Sequence, residues 1–214
     1  MNEPTIEDIR RAADRALFPM QVLEGSKSAA SFFCAGYLGQ LDSIHVLDAG
    51  INDVYLCDLD GVKLDRMRSM YPSDWRFERG DAYRLAEQRL AEGARYDIVI
   101  ADPWAGHIER LNKTFPLWYA LSRRWVLMGV TASWFLDQGG EISPDFFRER
   151  IRARHELDVT VESLVWRSDW LGGVYWVVVR KDDPDHGLGH PWDHSDDDTL
   201  WWRLRRKLRR LGGG

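Results

Sequence analysis

The sequence has little cysteine, no long apolar run and no string of the form G-x-G-x-x-G, and each lack removes a class of protein. Two cysteines, Cys34 and Cys57, are too few for a disulfide-stapled scaffold. Both fall in apolar stretches without partners at metal-ligand spacing, so structural thiols in a reducing compartment are expected. No window reaches the eighteen or so apolar residues that a membrane span needs. The opening Asn2-Glu3-Pro4-Thr5 lacks a basic stretch followed by an apolar one, so no signal peptide is expected, and a soluble, cytoplasmic protein follows. The missing glycine string argues against a nicotinamide-dependent oxidoreductase.

What is present suits one well-buried core: 214 residues, 44% of them hydrophobic, with ordinary charge, glycine and proline. Tryptophan stands out at 11 copies, and many of these should line the core or a pocket. Charge is unevenly spread. Arg203, Arg205, Arg206, Lys207, Arg209 and Arg210 lie together near the end, and setting these six aside takes the net charge from −5 to −11. So acidic a body is a poor polyanion binder unless its basic residues cluster.

Apolar positions Ile6, Ile9, Ala13, Leu17 and Met20 recur at helical spacing and predict an amphipathic helix interrupted at Pro19. Ala29 to Ala35 reads as a buried strand running into a turn at Gly36 and Gly39, and Leu41 to Asp48 as a helix stopped by Gly50. The alternation continues with strand Val54 to Cys57, helix Val62 to Tyr71, strand Trp75 to Glu78, helix Ala82 to Glu92 and strand Tyr96 to Ala101. Strands separated by helices of this length predict βαβ units and a parallel sheet covered on both faces. Beyond Pro103 the pattern predicts a helix through Leu117 to Arg124, a strand from Trp125 to Val130 and a helix around Pro144 to His155. Val159 to Trp166 and Val174 to Arg180, joined across Leu171-Gly172-Gly173, predict an antiparallel hairpin.

Ligands of an open α/β sheet bind beyond the carboxyl ends of its strands, so residues there are the candidates for function. The first such end reads Phe32-Phe33-Cys34-Ala35-Gly36-Tyr37-Leu38-Gly39, where glycine would let backbone approach a ligand closely. The second ends in Asp58, with Asp60 as the alternative ligand; both could instead cap the helix that begins near Gly61. The third is Arg79-Gly80-Asp81-Ala82, which a helix N-cap at Asp81 explains equally well. The fourth is Ile98-Val99-Ile100-Ala101-Asp102-Pro103-Trp104, also readable as ordinary Asp-Pro turn chemistry.

Five parallel strands, a terminal hairpin and these strand ends together resemble the class I S-adenosylmethionine-dependent methyltransferases, from about Ser28 to Lys181. The resemblance implies a Rossmann-like doubly wound fold, a mostly parallel sheet closed by a C-terminal antiparallel β-hairpin. It implies S-adenosylmethionine as cofactor, with Gly36, Tyr37 and Gly39 against its amino-acid portion, Asp58 on the ribose, and Asp81 and Ala82 on the adenine. The first end is similar to the family's D-x-F-x-G-x-G loop, although Phe32 stands where many relatives are acidic and the second glycine follows after two residues. The fourth resembles the D-P-P-Y motif of enzymes that methylate exocyclic amines, which casts Asp102, Pro103 and Trp104 as catalytic. One proline is missing and the aromatic is tryptophan, so the acceptor class stays open between a nucleic-acid base and a small molecule. His107 is the next candidate for a base.

The implied organisation is an N-terminal helix in 1–27, a methyltransferase-like domain in 28–183, a linker in 184–199 and a basic amphipathic helix in 200–211. His186, His190 and His194 lie at i, i+4 spacing beside Asp193, but glycine and proline break the segment and no metal site is expected. On the last helix Leu200, Trp201, Leu204, Leu208 and Leu211 share a face, with the basic residues around the rest. It suits an anionic membrane surface, nucleic-acid phosphates or the domain's own acidic surface. Two functions therefore compete: a methyltransferase, and a Rossmann scaffold without catalysis that binds or assembles through this tail.

Overall fold

Thr5 and Asp8 begin the first helix by capping each other: Asp8 N–H donates to Thr5 Oγ1 at 3.2 Å, and Thr5 N–H donates back to the Asp8 carboxylate at 2.9 Å. The computed structural model describes residues 5–13, 18–33, 37–101, 108–137, 139–168 and 173–190, of which 37–39, 108–113, 137 and 168 are described in backbone only. The elements, in order, are α1 (Ile6–Ala13), a short 3-10 turn (Met20–Val22), β1 (Ser28–Phe32), α2 (Tyr37–Asp48), β2 (Asp53–Asp58), α3 (Gly61–Met70), β3 (Arg76–Arg79) and α4 (Ala82–Ala91). They continue with β4 (Tyr96–Ala101), α5 (Ile108–Leu121), β5 (Ser122–Thr131), α6 (Ala132–Asp137), α7 (Pro144–His155), β6 (Thr160–Ser168) and β7 (Val174–Arg180).

Seven strands form one sheet in the order β3-β2-β1-β4-β5-β7-β6. The first five are parallel, and β7 runs antiparallel to both β5 and β6. This is the doubly wound, mostly parallel sheet with a C-terminal antiparallel hairpin that the sequence predicts. The side chains of each strand alternate between two apolar layers, as a period of two requires. On β2, Val54 and Leu56 pack with Ile9, Leu41 and Trp176 on one face, whereas Tyr55 and Cys57 pack with Tyr83, Trp118 and Phe147 on the other. Helices α1 to α3 cover the first face, and α4, α5 and α7 the second. Cys57 is buried in the second layer, a structural thiol. No helix of the described residues is long and apolar enough to cross a membrane.

Several boundaries differ from the sequence pattern, each for a physical reason. The first strand stops at Phe32, short of Ala35, because Phe33 takes up a left-handed backbone with φ 69°. Helix α2 starts at Tyr37, four residues early, so that Gly39 belongs to its first turn. Arg123 and Arg124 belong to β5, not to the preceding helix. The Lys181 ammonium ends α5 there, donating to the Tyr119 and Ser122 carbonyls at 3.0 and 3.1 Å, a signal with no local trace in the sequence. Met20, expected on the apolar helical face, opens a 3-10 turn and is 56% exposed. The short α6 has no counterpart in the predicted elements. Residues 182–190, which run into the expected linker 184–199, form turns that lie on α5, where Gly187 fits against the Tyr119 ring and the His186 imidazole meets the Tyr119 hydroxyl at 3.0 Å.

Candidate functional site

The sheet order reverses at β1, with β2 and β3 on one side and β4 and β5 on the other. The carboxyl ends of β1 and β4 therefore form the switch point at which such sheets bind ligands. The described residues nearest that edge are Phe33 after β1, Asp58 closing β2, Gly80 and Asp81 after β3, and Ala101 closing β4.

Asp58 and Asp60, two residues apart, have different duties. Asp60 is the N-cap of α3: its side chain accepts the Lys63 N–H at 3.2 Å and pairs with the Lys63 ammonium at 3.1 Å. Those contacts, the backbone N–H first, hold its carboxyl below the ordinary carboxylate value. Asp58 instead stays on the strand terminus, half-buried, with Oδ1 accepting the Asp60 N–H at 2.9 Å. That bond makes a tight Asx turn and fixes the carboxylate's direction. Beside it two large apolar side chains stand in water, Leu59 in the turn at 66% and Val62 in the first turn of α3 at 83% exposed.

The end of β3 is tied to the end of β2, since Gly80 N–H donates to the Asp58 carbonyl at 3.0 Å. This brings Asp81 to the same edge. Asp81 caps α4, accepting from the Tyr83 and Arg84 N–H groups at 3.0 and 3.1 Å, and Ala82 is buried behind it. Gly61 makes room for a neighbour and not for a ligand: a Cβ there would stand 2.7 Å from Arg79 Cδ.

Phe33 was not a candidate from sequence, yet it holds the unusual backbone of the first strand end. Its N–H donates to the Cys57 carbonyl at 3.0 Å, and its ring meets Tyr83 at 5.4 Å and Trp118 at 6.3 Å between centroids. Trp118 is fully buried, its indole N–H satisfied by Thr114 Oγ1 at 3.1 Å. A left-handed residue of this size costs about 1–2 kcal/mol and persists where surrounding packing holds it. The signal was the position directly after the strand and not the residue type.

Of the other candidates, Tyr37 and Gly39 lie in the first turn of α2. Gly36, Asp102, Pro103, Trp104 and His107 lie outside the described residues, as do His194 and the segment 200–211. Among the described residues no group of three or more His, Cys, Asp or Glu side chains is arranged to hold a metal ion.

The same fold occurs in solved methyltransferases. Magnesium protoporphyrin IX methyltransferase from Synechocystis, solved with S-adenosylmethionine bound, superposes with a TM-score of 0.51 at 13% identity, over 85% of this chain and 86% of that one. The O-methyltransferase from Bacillus cereus, solved with S-adenosylhomocysteine, gives 0.54 at 16% identity over 85% and 92%. A Streptococcus mutans protein assigned as an S-adenosylmethionine-dependent methyltransferase gives 0.56 at 12% identity over 81% of this chain and 49% of that one, so the present chain spans about half its length. Similarity at these identities establishes the fold. No protein-family model matches the sequence, and no curated protein does.

Proposed function

We propose that this chain is an S-adenosylmethionine-dependent methyltransferase whose cofactor lies across the carboxyl ends of β1, β2 and β3. One observation carries this: Asp58 is a half-buried carboxylate on the strand terminus, aimed by the Asp60 amide and set beside the switch point. The residues present fit the adenosine half of the cofactor. A carboxylate can accept from both hydroxyls of a ribose, exposed Leu59 and Val62 offer apolar area for a purine face, and a second acidic residue, Asp81, stands on the neighbouring strand end. In this scheme Asp58 holds the ribose, Asp81 and Ala82 meet the adenine, and Gly36, Tyr37 and Gly39 border the amino-acid portion.

The bound cofactor supplies a methyl group on a sulfonium, already activated toward a nucleophile. The chain has to position an acceptor in line, keep water out and take up a proton if the nucleophile carries one. We assign Asp102 to hold and orient the acceptor, Pro103 to set the turn that presents it and Trp104 to stack on it, with His107 the second candidate base. An acceptor with a planar amino-bearing group follows, either a nucleic-acid base or a small molecule. The catalytic unit is 28–183 with α1 packed against it, 184–199 begins in turns folded on α5 and leads on to the basic segment 200–211, and that segment contacts an anionic surface or polyanion. A cytoplasmic setting belongs to the same proposal.

Calorimetry with S-adenosylmethionine and S-adenosylhomocysteine tests it. Micromolar binding by the wild type that Asp58→Ala abolishes is the expected outcome. A wild type that binds neither ligand refutes the enzymatic assignment and returns the chain to the scaffold alternative.

A further inference from the structure

Arg167 is one residue from the end of β6, at the outer edge of the sheet, and Asp42 lies on α2, yet the two form an ion pair at 2.5 Å with side chains only 2% and 4% exposed. The guanidinium also lies 3.9 Å from the Trp176 ring centroid, so it reaches across β7 to the helix. Because β6 and β5 both run antiparallel to β7, they share a direction, and Arg167 sits at the carboxyl edge of the sheet: Ser168 pairs with Val174, and Val174 pairs with Thr131, the last residue of β5. Asp42 falls within the first two turns of α2, five residues after Tyr37, where that helix begins.

A buried pair of this kind is weak evidence for stability, since removing two charges from water costs about as much as their attraction returns. What it does supply is geometry. A guanidinium that is clamped on an aromatic face and bonded to one carboxylate fixes both the rotation of α2 about its axis and its distance from the β6-β7 hairpin. The first turn of α2 carries Tyr37 and Gly39. We infer that Arg167 and Asp42 are positioning residues: they lock the start of α2 to the hairpin and so set where that first turn stands toward cofactor. The inference rests on the proposed placement of cofactor at Tyr37 and Gly39. Arg167 touches neither cofactor nor acceptor in this scheme and acts through α2 alone.

The test separates position from stability. Either single substitution, Asp42→Leu or Arg167→Met, breaks the pair while leaving one of its buried charges and lowers the melting temperature. The double variant Asp42→Leu/Arg167→Met removes both charges and regains most of it. Two quantities are read in the double variant: S-adenosylhomocysteine affinity by calorimetry, and amide exchange across residues 40–46 of α2. Affinity is expected to remain weaker by roughly tenfold, with faster exchange, although thermal stability has returned. Wild-type affinity together with wild-type exchange in the double variant overturns the inference and leaves the pair a structural one. If the wild type binds no S-adenosylhomocysteine, the cofactor proposal fails by itself; exchange then decides whether the pair holds α2, and unchanged exchange overturns the inference. Should the double variant not fold, Arg167→Lys replaces it. Lysine keeps the charge but loses the planar fork on Trp176, so intermediate affinity and exchange are expected, and wild-type values for both overturn the inference.

Discussion

Substituting Asp58 and Asp60 in parallel separates a ligand role from a capping role within three residues of chain. Asp58→Asn keeps a carbonyl oxygen where Oδ1 now accepts the Asp60 N–H, so the Asx turn survives and the backbone at the end of β2 stays put. What disappears is the negative charge and one acceptor. Hydrogen bonds to a charged group contribute about 1.5–3 kcal/mol each, and an amide retains part of that, so the expected loss is about 2–3 kcal/mol. In affinity this is roughly a 30- to 150-fold rise in the Kd for S-adenosylhomocysteine. Asp60→Ala has the opposite signature. It removes the α3 cap and an exposed ion pair of little value, lowering stability by about 1 kcal/mol while leaving affinity near the wild-type value. Titration calorimetry with urea denaturation of the same samples reads both axes. If Asp60→Ala weakens binding as much as Asp58→Asn does, or if Asp58→Asn leaves the Kd unchanged, the division of labour drawn from the geometry is wrong.

Three further outcomes follow from the same contacts. Phe33→Gly and Phe33→Ala both lose the ring, but only alanine must hold φ 69° with a Cβ, so the glycine variant is expected to be about 1 kcal/mol more stable in denaturant titration; equal or reversed stability argues against the left-handed backbone. Asp81→Ala should lower stability by about 1 kcal/mol, whereas Asp81→Ser restores the cap but not the carboxylate, so cofactor affinity that recovers fully with serine excludes a role for the charge. Burial, and secondarily Arg95, lower the Lys181 ammonium from its ordinary value to about 8. Between that value and 10.5 the unfolded chain holds a proton that the folded chain has released, so wild-type stability relative to Lys181→Met should rise from pH 7 to pH 9.5; a constant or shrinking difference in urea midpoint refutes this.

The parallel sheet was legible because each strand is a short apolar run bounded by polar turns and separated by a helix-length interval. Tyr96–Ala101, with Ile98, Val99 and Ile100 in succession, coincides with β4 residue for residue. Less legible were the boundaries set by distant partners. Nothing near Leu121 marks the end of α5, because the group that caps it, Lys181, is some sixty residues away. Asp58 and Asp60 look alike as letters. Only the register of β2 against β3, which ends at Asp58 and Arg79, and the start of α3 after Asp60 distinguish the strand terminus from the cap. The Arg167–Asp42 pair has no sequence signal at all: an arginine two residues past Val165 on an edge strand normally faces water, and only the docking of α2 over Trp176 buries it.

Glycine shows most directly why a motif has to be read as backbone and not as spelling. Gly61 follows the acidic strand end and invites assignment to a ligand, yet the space it leaves is filled by the Arg79 side chain. Gly187 sits in a segment whose composition suggests solvent, yet it is buried because the Tyr119 ring occupies the place of its missing side chain. At the first strand end the order is inverted: the residue with the glycine-like backbone is Phe33, held there by its N–H bond to Cys57 and by the rings of Tyr83 and Trp118. Phe33 therefore takes up this backbone without being glycine, and its ring stands as an aromatic wall on the side of α4 and α5. In the proposed placement of cofactor, a ligand approaching this strand end meets Phe33 as well as Gly36 and Gly39. The Phe33→Gly variant, which clears that wall while easing the backbone, should change ligand affinity independently of its effect on stability.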